Sequence, residues 1–206
     1  MLRKSRAVLA AIAIVLAATV FTDAAQAAQR FFLFEPPFSS LSDGRQRFET
    51  RVRSGKVRLA PEFRRQVVAY DGHQPPGTII VNTGRKFLYF VLPGGKAIRY
   101  GIGTARDGFE WSGTHKVTRK AEWPGWTPPA EMKRRQPNLP DYMPGGINNP
   151  LGARAIYIGS TLYRIHGTNE PWTIGQNVSS GCIRMVNADV EDLYERVKIG
   201  ARVIVL

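Results

Sequence analysis

The sequence predicts a mostly β domain, an antiparallel sandwich or barrel with a short helix near its C-terminus. Three observations carry this reading. From Gln66 onward the chain breaks into many short β-like runs. Gly-rich turns separate several of them. One stretch close to the C-terminus repeats its apolar residues at helical spacing.

In chain order, the first element is a leader. Arg3, Lys4 and Arg6 precede an apolar run from Ala7 to about Phe21, followed by Asp23-Ala24-Ala25-Gln26-Ala27-Ala28. A basic start, a short apolar stretch and a small-x-small site describe a secretory signal peptide over residues 1–27, cleaved after Ala27. The run is short for a membrane span, which weighs against an uncleaved anchor. Export to the periplasm is the implied destination. Residues 28–64 follow as a basic arm, with Glu35-Pro36-Pro37, Ser39-Ser40 and many Arg and Lys between Arg45 and Arg65. No helical or strand period persists there, so a flexible or loosely packed arm is expected.

Residues 65–206 then form one domain. Strands are predicted over 66–70, 78–82, 86–92, 97–101, 115–119, 155–158, 162–166 and 201–206. Asn82-Thr83-Gly84-Arg85 and Pro93-Gly94-Gly95-Lys96 read as hairpin turns. In the helix, Val190, Leu193, Tyr194 and Val197 give one apolar face. Asn187 is its expected N-cap, Asp189 and Glu191 suit its first turn, and Gly200 can close it. It starts five residues after Cys182 and should clamp the loop that carries this cysteine against the sheet.

The chain has 206 residues and a net charge of +13. Without the leader, about 179 residues and a charge of about +11 remain. That length suffices for one domain with a real core. The charge favours an anionic envelope, and export argues against nucleic acid as the natural partner.

Cys182 is the only cysteine, so an internal disulfide is excluded. By count alone, a buried inert thiol, an intermolecular disulfide and a nucleophile all remain open. The surroundings favour the nucleophile. His166 lies 16 residues upstream in Arg164-Ile165-His166-Gly167-Thr168, at the end of a predicted strand where a side chain is held firmly. An imidazole can take the thiol proton, since the thiolate is the reactive form. Gly181 allows a tight bend before Cys182, and the backbone N–H groups of Gly181 and Cys182 could form an oxyanion hole. Nothing nearby has zinc-ligand spacing, and no metal or cofactor is expected. His73 and His115 are assigned ordinary surface or strand roles.

Histidine precedes cysteine, and the gap is short. That order, with His166-Gly167-Thr168 and the run Ser179-Ser180-Gly181-Cys182-Ile183-Arg184-Met185-x-Asn187, resembles the L,D-transpeptidase catalytic domain family of bacterial cell-wall enzymes. Asn149-Pro150-Leu151-Gly152 and the final helix and strand agree with it, so the resemblance covers roughly residues 67–206. It implies the family's mostly antiparallel β-sandwich and an acyl transfer on peptidoglycan stem peptides. Cys182 would attack the bond between diaminopimelate and the terminal D-alanine of a tetrapeptide, release D-alanine and pass the thioester to an amine. The acceptor would be another stem, giving a 3→3 cross-link, or an envelope protein. Two other readings stand beside it: a cysteine hydrolase of the same architecture, and a non-catalytic wall-binding protein. Acylation by carbapenems is implied as well.

Several further residues take their expected roles from the resemblance. Arg184 either binds a substrate carboxylate or makes a structural hydrogen bond to the loop. Gly167 and Trp126 are expected on the substrate side, with residues 123–129 forming an aromatic wall or a packed loop. Gly181 and Ser180 belong to the oxyanion loop, and Asn187 and Ser179 brace it. Most members carry a histidine where Ser180 stands here.

Overall fold

A computed structural model describes residues 59–206. The leader over 1–27 and residues 28–58 of the basic arm lie outside the described residues. At the end of the arm, Phe63 packs against the domain while most of residues 59–64 are exposed. Pro61–Phe63 form a 3-10 turn. The Phe63 ring lies 5.7 Å from that of Phe87, and the Arg99 guanidinium covers the Phe87 ring and donates to the Glu62 carbonyl.

The domain contains eleven strands: β1 (Gln66–Ala69), β2 (Ile79–Asn82), β3 (Phe87–Leu92), β4 (Lys96–Gly101), β5 (Thr104–Ala105), β6 (Gly113–Glu122), β7 (Arg154–Ile158), β8 (Arg164–His166), β9 (Asn177–Ser179), β10 (Ile183–Arg184) and β11 (Arg202–Val205). Helix α1 (Ala130–Arg135) falls between β6 and β7, and α2 (Asn187–Arg196) between β10 and β11. Nine strands join in the order β1-β4-β3-β2-β11-β6-β7-β8-β10, and β5 and β9 form a separate pair.

The long strand β6 serves both halves of the ladder. Its residues 113–116 pair with β11, and its residues from Val117 pair with β7, with a register irregularity between Val117 and Arg119. Such an irregularity turns a strand and lets one ladder pass into another. Alternation then places one residue in two toward a shared core. Ile79, Val81, Leu88 and Tyr100 from the first half meet Ile156, Ile158, Ile165 and Ile183 from the second in one buried cluster. Val190, Leu193 and Val197 of the predicted helix face complete it.

The mostly antiparallel prediction therefore describes the fold, with three exceptions. Strands β2/β11, β8/β10 and β5/β9 pair in parallel. A parallel pair needs a crossover rather than a hairpin. The β8-to-β10 crossover is the segment that ends on the cysteine loop, so this exception builds the site.

Candidate active site

The ladder around β8 fixes which side chains meet. Strand β8 lies between β7 and β10, with His166 opposite Ala155 on one side and Arg184 on the other. Ile165 pairs with Ile156 and Ile183, and all three are buried in the core. By alternation Arg164, His166, Cys182 and Arg184 must emerge on the opposite face. All four line a cavity of about 410 Å³. Ser179, Ser180 and Trp126 share its lining.

His166 is only 3% exposed. Its Nδ1 lies 2.5 Å from the Gly167 carbonyl oxygen. A carbonyl can only accept, so Nδ1 carries the proton and Nε2 keeps its lone pair. Burial, with the charges of Arg184 and Arg164, pushes the imidazole down to about 3, against the raising effect of the Gly167 and Leu151 carbonyls. The resting histidine is a neutral base.

Cys182 is half-buried, and its Sγ lies 4.0 Å from the Leu162 carbonyl. Burial raises its thiol above the ordinary value. Arg164 opposes that rise by its charge and by donors from both backbone and side chain, and Arg184 opposes it by charge. Both side chains are thus neutral at rest.

The loop before Cys182 is held at three points. Ser179 Oγ donates to the Cys182 carbonyl at 2.5 Å and accepts from the Gly181 N–H at 3.2 Å. Trp111 Nε1 donates to the Gly181 carbonyl at 2.7 Å, and its ring stacks on Tyr163 at 4.4 Å. Gly181 has φ +107°, and a Cβ there would overlap the Tyr163 ring. Only glycine fits both the conformation and the space. The Gly181 N–H, one of the two donors expected of an oxyanion hole, is thereby engaged with Ser179 rather than aimed at substrate.

Two further expectations change. Gly167 is buried and does not line the cavity; its carbonyl orients His166, and its N–H donates to the Arg154 carbonyl. Asn187 begins α2, but Val186 is the capping residue, with no side-chain cap. The Asn187 Oδ1 instead accepts from Ala153 N at 3.0 Å and Thr168 N at 3.1 Å. It ties the strand before the base to the turn after it, and that oxygen has no capacity left for the helix end. Trp126 reaches the lining from a loop whose backbone bonds Met143 in both directions. Arg184 is engaged with Glu170 at 2.9 Å, and its backbone bonds Gly103 in both directions. His73 is exposed, and His115 sits edge-on to Trp111.

Sequence reasoning passed over Arg164, Glu170, Trp111 and Tyr163. For Arg164 a signal existed, because it stands two residues before His166 on the same strand and so shares its face. For Trp111, 70 residues from Gly181, none did.

The family model described as the YkuD L,D-transpeptidase catalytic domain matches residues 76–205. A curated relative from Escherichia coli K12, named probable L,D-transpeptidase ErfK/SrfK, is 42% identical over 134 residues, covering 61% of this chain and 42% of its own length. The chain spans about two fifths of the length of the first curated relatives that it matches. Among solved structures, a cysteine-to-serine mutant of an L,D-transpeptidase from Enterococcus faecium matches with TM-score 0.50 and 17% identity, covering 64% of this chain and 50% of that one. That likeness is one of fold. A Brucella melitensis chain described as a probable carnitine operon oxidoreductase is 45% identical with TM-score 0.49, covering 72% of this chain and 96% of that one. Its description belongs to that protein alone.

Proposed function

This chain belongs to the L,D-transpeptidase catalytic domain family, and from that premise we propose that it transfers acyl groups between peptidoglycan stem peptides through Cys182. The observation that supports this most is the His166 tautomer. Nδ1 is tied to the Gly167 carbonyl, so Nε2 is the atom able to receive a proton in the cavity that Cys182 also lines.

The substrate carbonyl is that of the diaminopimelate residue linked to the terminal D-alanine of a tetrapeptide stem. As Cys182 Sγ bonds to the carbonyl carbon, its proton passes to His166 Nε2. The imidazolium returns that proton to the departing D-alanine nitrogen when the C–N bond breaks, leaving a thioester. An acceptor amine then attacks the thioester carbon and loses a proton to His166, and Sγ leaves and is reprotonated. Acceptance by a second stem gives a 3→3 cross-link, and acceptance by an envelope protein gives attachment to the wall. Ser180 and Trp126 border the reacting acyl group. Arg184 holds the cysteine loop through Gly103 and offers the cavity a guanidinium for a stem carboxylate.

The proposed site of action is the periplasm, reached with the leader ending at Ala27 and aided by a basic surface. Cleavage is checked by N-terminal sequencing of the exported protein, with Ala28 expected first. Incubation with disaccharide-tetrapeptide, followed by mass spectrometry, tests the activity, with Cys182→Ala alongside. Cross-linked dimer and free D-alanine, both absent with the variant, are expected. Tripeptide alone assigns water as acceptor and makes the protein a hydrolase. No product, together with no adduct from a carbapenem at Cys182, leaves a wall-binding role.

A further inference from the structure

Among the described residues, Arg164 is the cation of the site that meets no carboxylate. Arg184 has Glu170 at 2.9 Å. Among the described residues Arg164 has no carboxylate partner, and its buried Nε has no hydrogen-bond acceptor. Arg164 as a whole is half-buried, and a guanidinium partly withdrawn from water without a counter-charge is costly, so its position calls for a reason.

The register supplies one. Ile165 lies opposite Ile183 in the parallel β8/β10 pair, so the position facing Arg164 is the residue before Ile183, which is Cys182. On its other side Arg164 pairs with Tyr157 of β7, and Tyr157 pairs with Arg119 of β6. One cross-strand row thus runs Arg119, Tyr157, Arg164, Cys182. The Arg119 guanidinium lies 3.6 Å from the Tyr157 ring centroid and that of Arg164 lies 5.3 Å from it. Tyr157 steadies the Arg164 group by a cation–π contact. Arg164 and Cys182 both line the cavity.

We propose that Arg164 stabilises the Cys182 thiolate as the proton leaves for His166, with the Tyr157 ring as its support. Its use in catalysis rests on the acyl-transfer reading above. A guanidinium keeps its charge and presents a fork of N–H donors, so it can follow the sulfur through the loss of its proton. The same cation disfavours charge on His166, so its effect has two signs: it favours the anion on sulfur and disfavours the cation on the imidazole.

The test titrates Cys182 in the full chain by its rate of alkylation with iodoacetamide, a neutral reagent, from pH 6 to 11. Arg164→Gln should move the thiol titration up by about one unit and slow alkylation at pH 7 about tenfold. It should also move the His166 imidazole titration upward from about 3, read by nuclear magnetic resonance in a separate acid series from pH 2.5 to 6. A purely structural residue would not shift the two in this coupled way. Arg164→Lys should restore most of the alkylation rate, and Tyr157→Leu should slow it by a smaller factor than Arg164→Gln. Where the Gln variant fails to fold, Arg164→Met keeps a stem of similar length and serves the same comparison. A folded, charge-free variant with unchanged thiol and imidazole titrations overturns the proposal. No peptidoglycan enters the measurement, so the assignment stands or falls apart from the acyl-transfer reading.

Discussion

The burial of His166 should be readable as an acid-sensitive fold, and the replacement His166→Gln isolates it. The imidazole is held at about 3 against an ordinary value of 6.5. Between those values the unfolded chain binds a proton that the folded chain refuses, so stability falls as pH falls from 6.5 toward 3. From pH 8 to pH 5 this one group should remove about 2 kcal/mol. Asp189 works in the other direction. Burial raises its carboxyl to about 6; the Arg65 charge opposes this and the Asp192 charge adds to it. The folded chain therefore takes up a proton on Asp189 before the unfolded chain does, which adds about 1.4 kcal/mol over the same interval. The two groups together leave the wild type a net loss of roughly 0.6 kcal/mol. Glutamine cannot titrate and can still donate to the Gly167 carbonyl, so His166→Gln should gain about 1.4 kcal/mol where the wild type loses. Asp189→Asn should lose the full amount of about 2 kcal/mol. Urea unfolding at pH 8 and pH 5 measures each change, and groups common to all three proteins cancel in the differences. Parallel profiles for the wild type and His166→Gln would refute the reasoning, because they would mean that His166 titrates alike in both states.

Three shorter predictions accompany it. Gly181→Ala should cost about 1–3 kcal/mol and most of the turnover, since φ +107° and the Tyr163 ring both oppose a Cβ; a wild-type melting curve with full turnover would count against a conformational role. Asn187→Ala should destabilise by about 2 kcal/mol, because the N–H groups of Ala153 and Thr168 lose their shared acceptor; an unchanged urea midpoint would show that other acceptors replace it. Burial raises the Asp192 carboxyl, but hydrogen bonds from Arg196 and Tyr100 and the charges of Arg65 and Arg196 outweigh this and hold it at about 2, below the ordinary 3.8. Solvent screens this partly exposed carboxylate, so its contribution of about 1 kcal/mol should be present above pH 4 and vanish as pH falls through 2. The stability gap between wild type and Asp192→Asn, followed over that range, checks the sign; a gap that persists at pH 2 contradicts it.

The parts of the fold that were legible in the sequence were those whose signal is local. Strands β2, β3, β4 and β11 alternate against one core, and α2 carries its period of 3.6 through Val190, Leu193 and Val197. Helix α1 has no buried residue, so no apolar period marks it. Strands β5, β9 and β10 have two or three residues each, too few to show alternation. Parallel pairing depends on partners distant in the chain, and no single run encodes it. The site divides in the same way. Cys182 and His166 stand out by residue type and by the turn glycine beside the cysteine. Asn187 misleads because a capping preference is a local property, whereas the N–H groups that it serves lie 34 and 19 residues upstream.

Burial also decides how the pair can work. A thiol and an imidazole that are both neutral at rest do not form a standing ion pair, so the nucleophile appears only when the proton moves. Moving it creates an anion and a cation beside the guanidinium groups of Arg164 and Arg184, which already act on both side chains. Those groups favour the sulfur anion and oppose the imidazolium, so the electrostatics of this site help the thiolate and hinder the imidazolium. The imidazolium must then be short-lived, and it discharges its proton to the first amine that needs one, the departing D-alanine nitrogen in the proposed reaction. The same arrangement keeps the thiol protonated between turnovers. Oxidation follows thiolate character as well as exposure, and a protonated sulfur offers little of the first. A lone cysteine can therefore persist in the proposed periplasmic compartment and still serve as the nucleophile of the proposed transfer once an acyl group arrives.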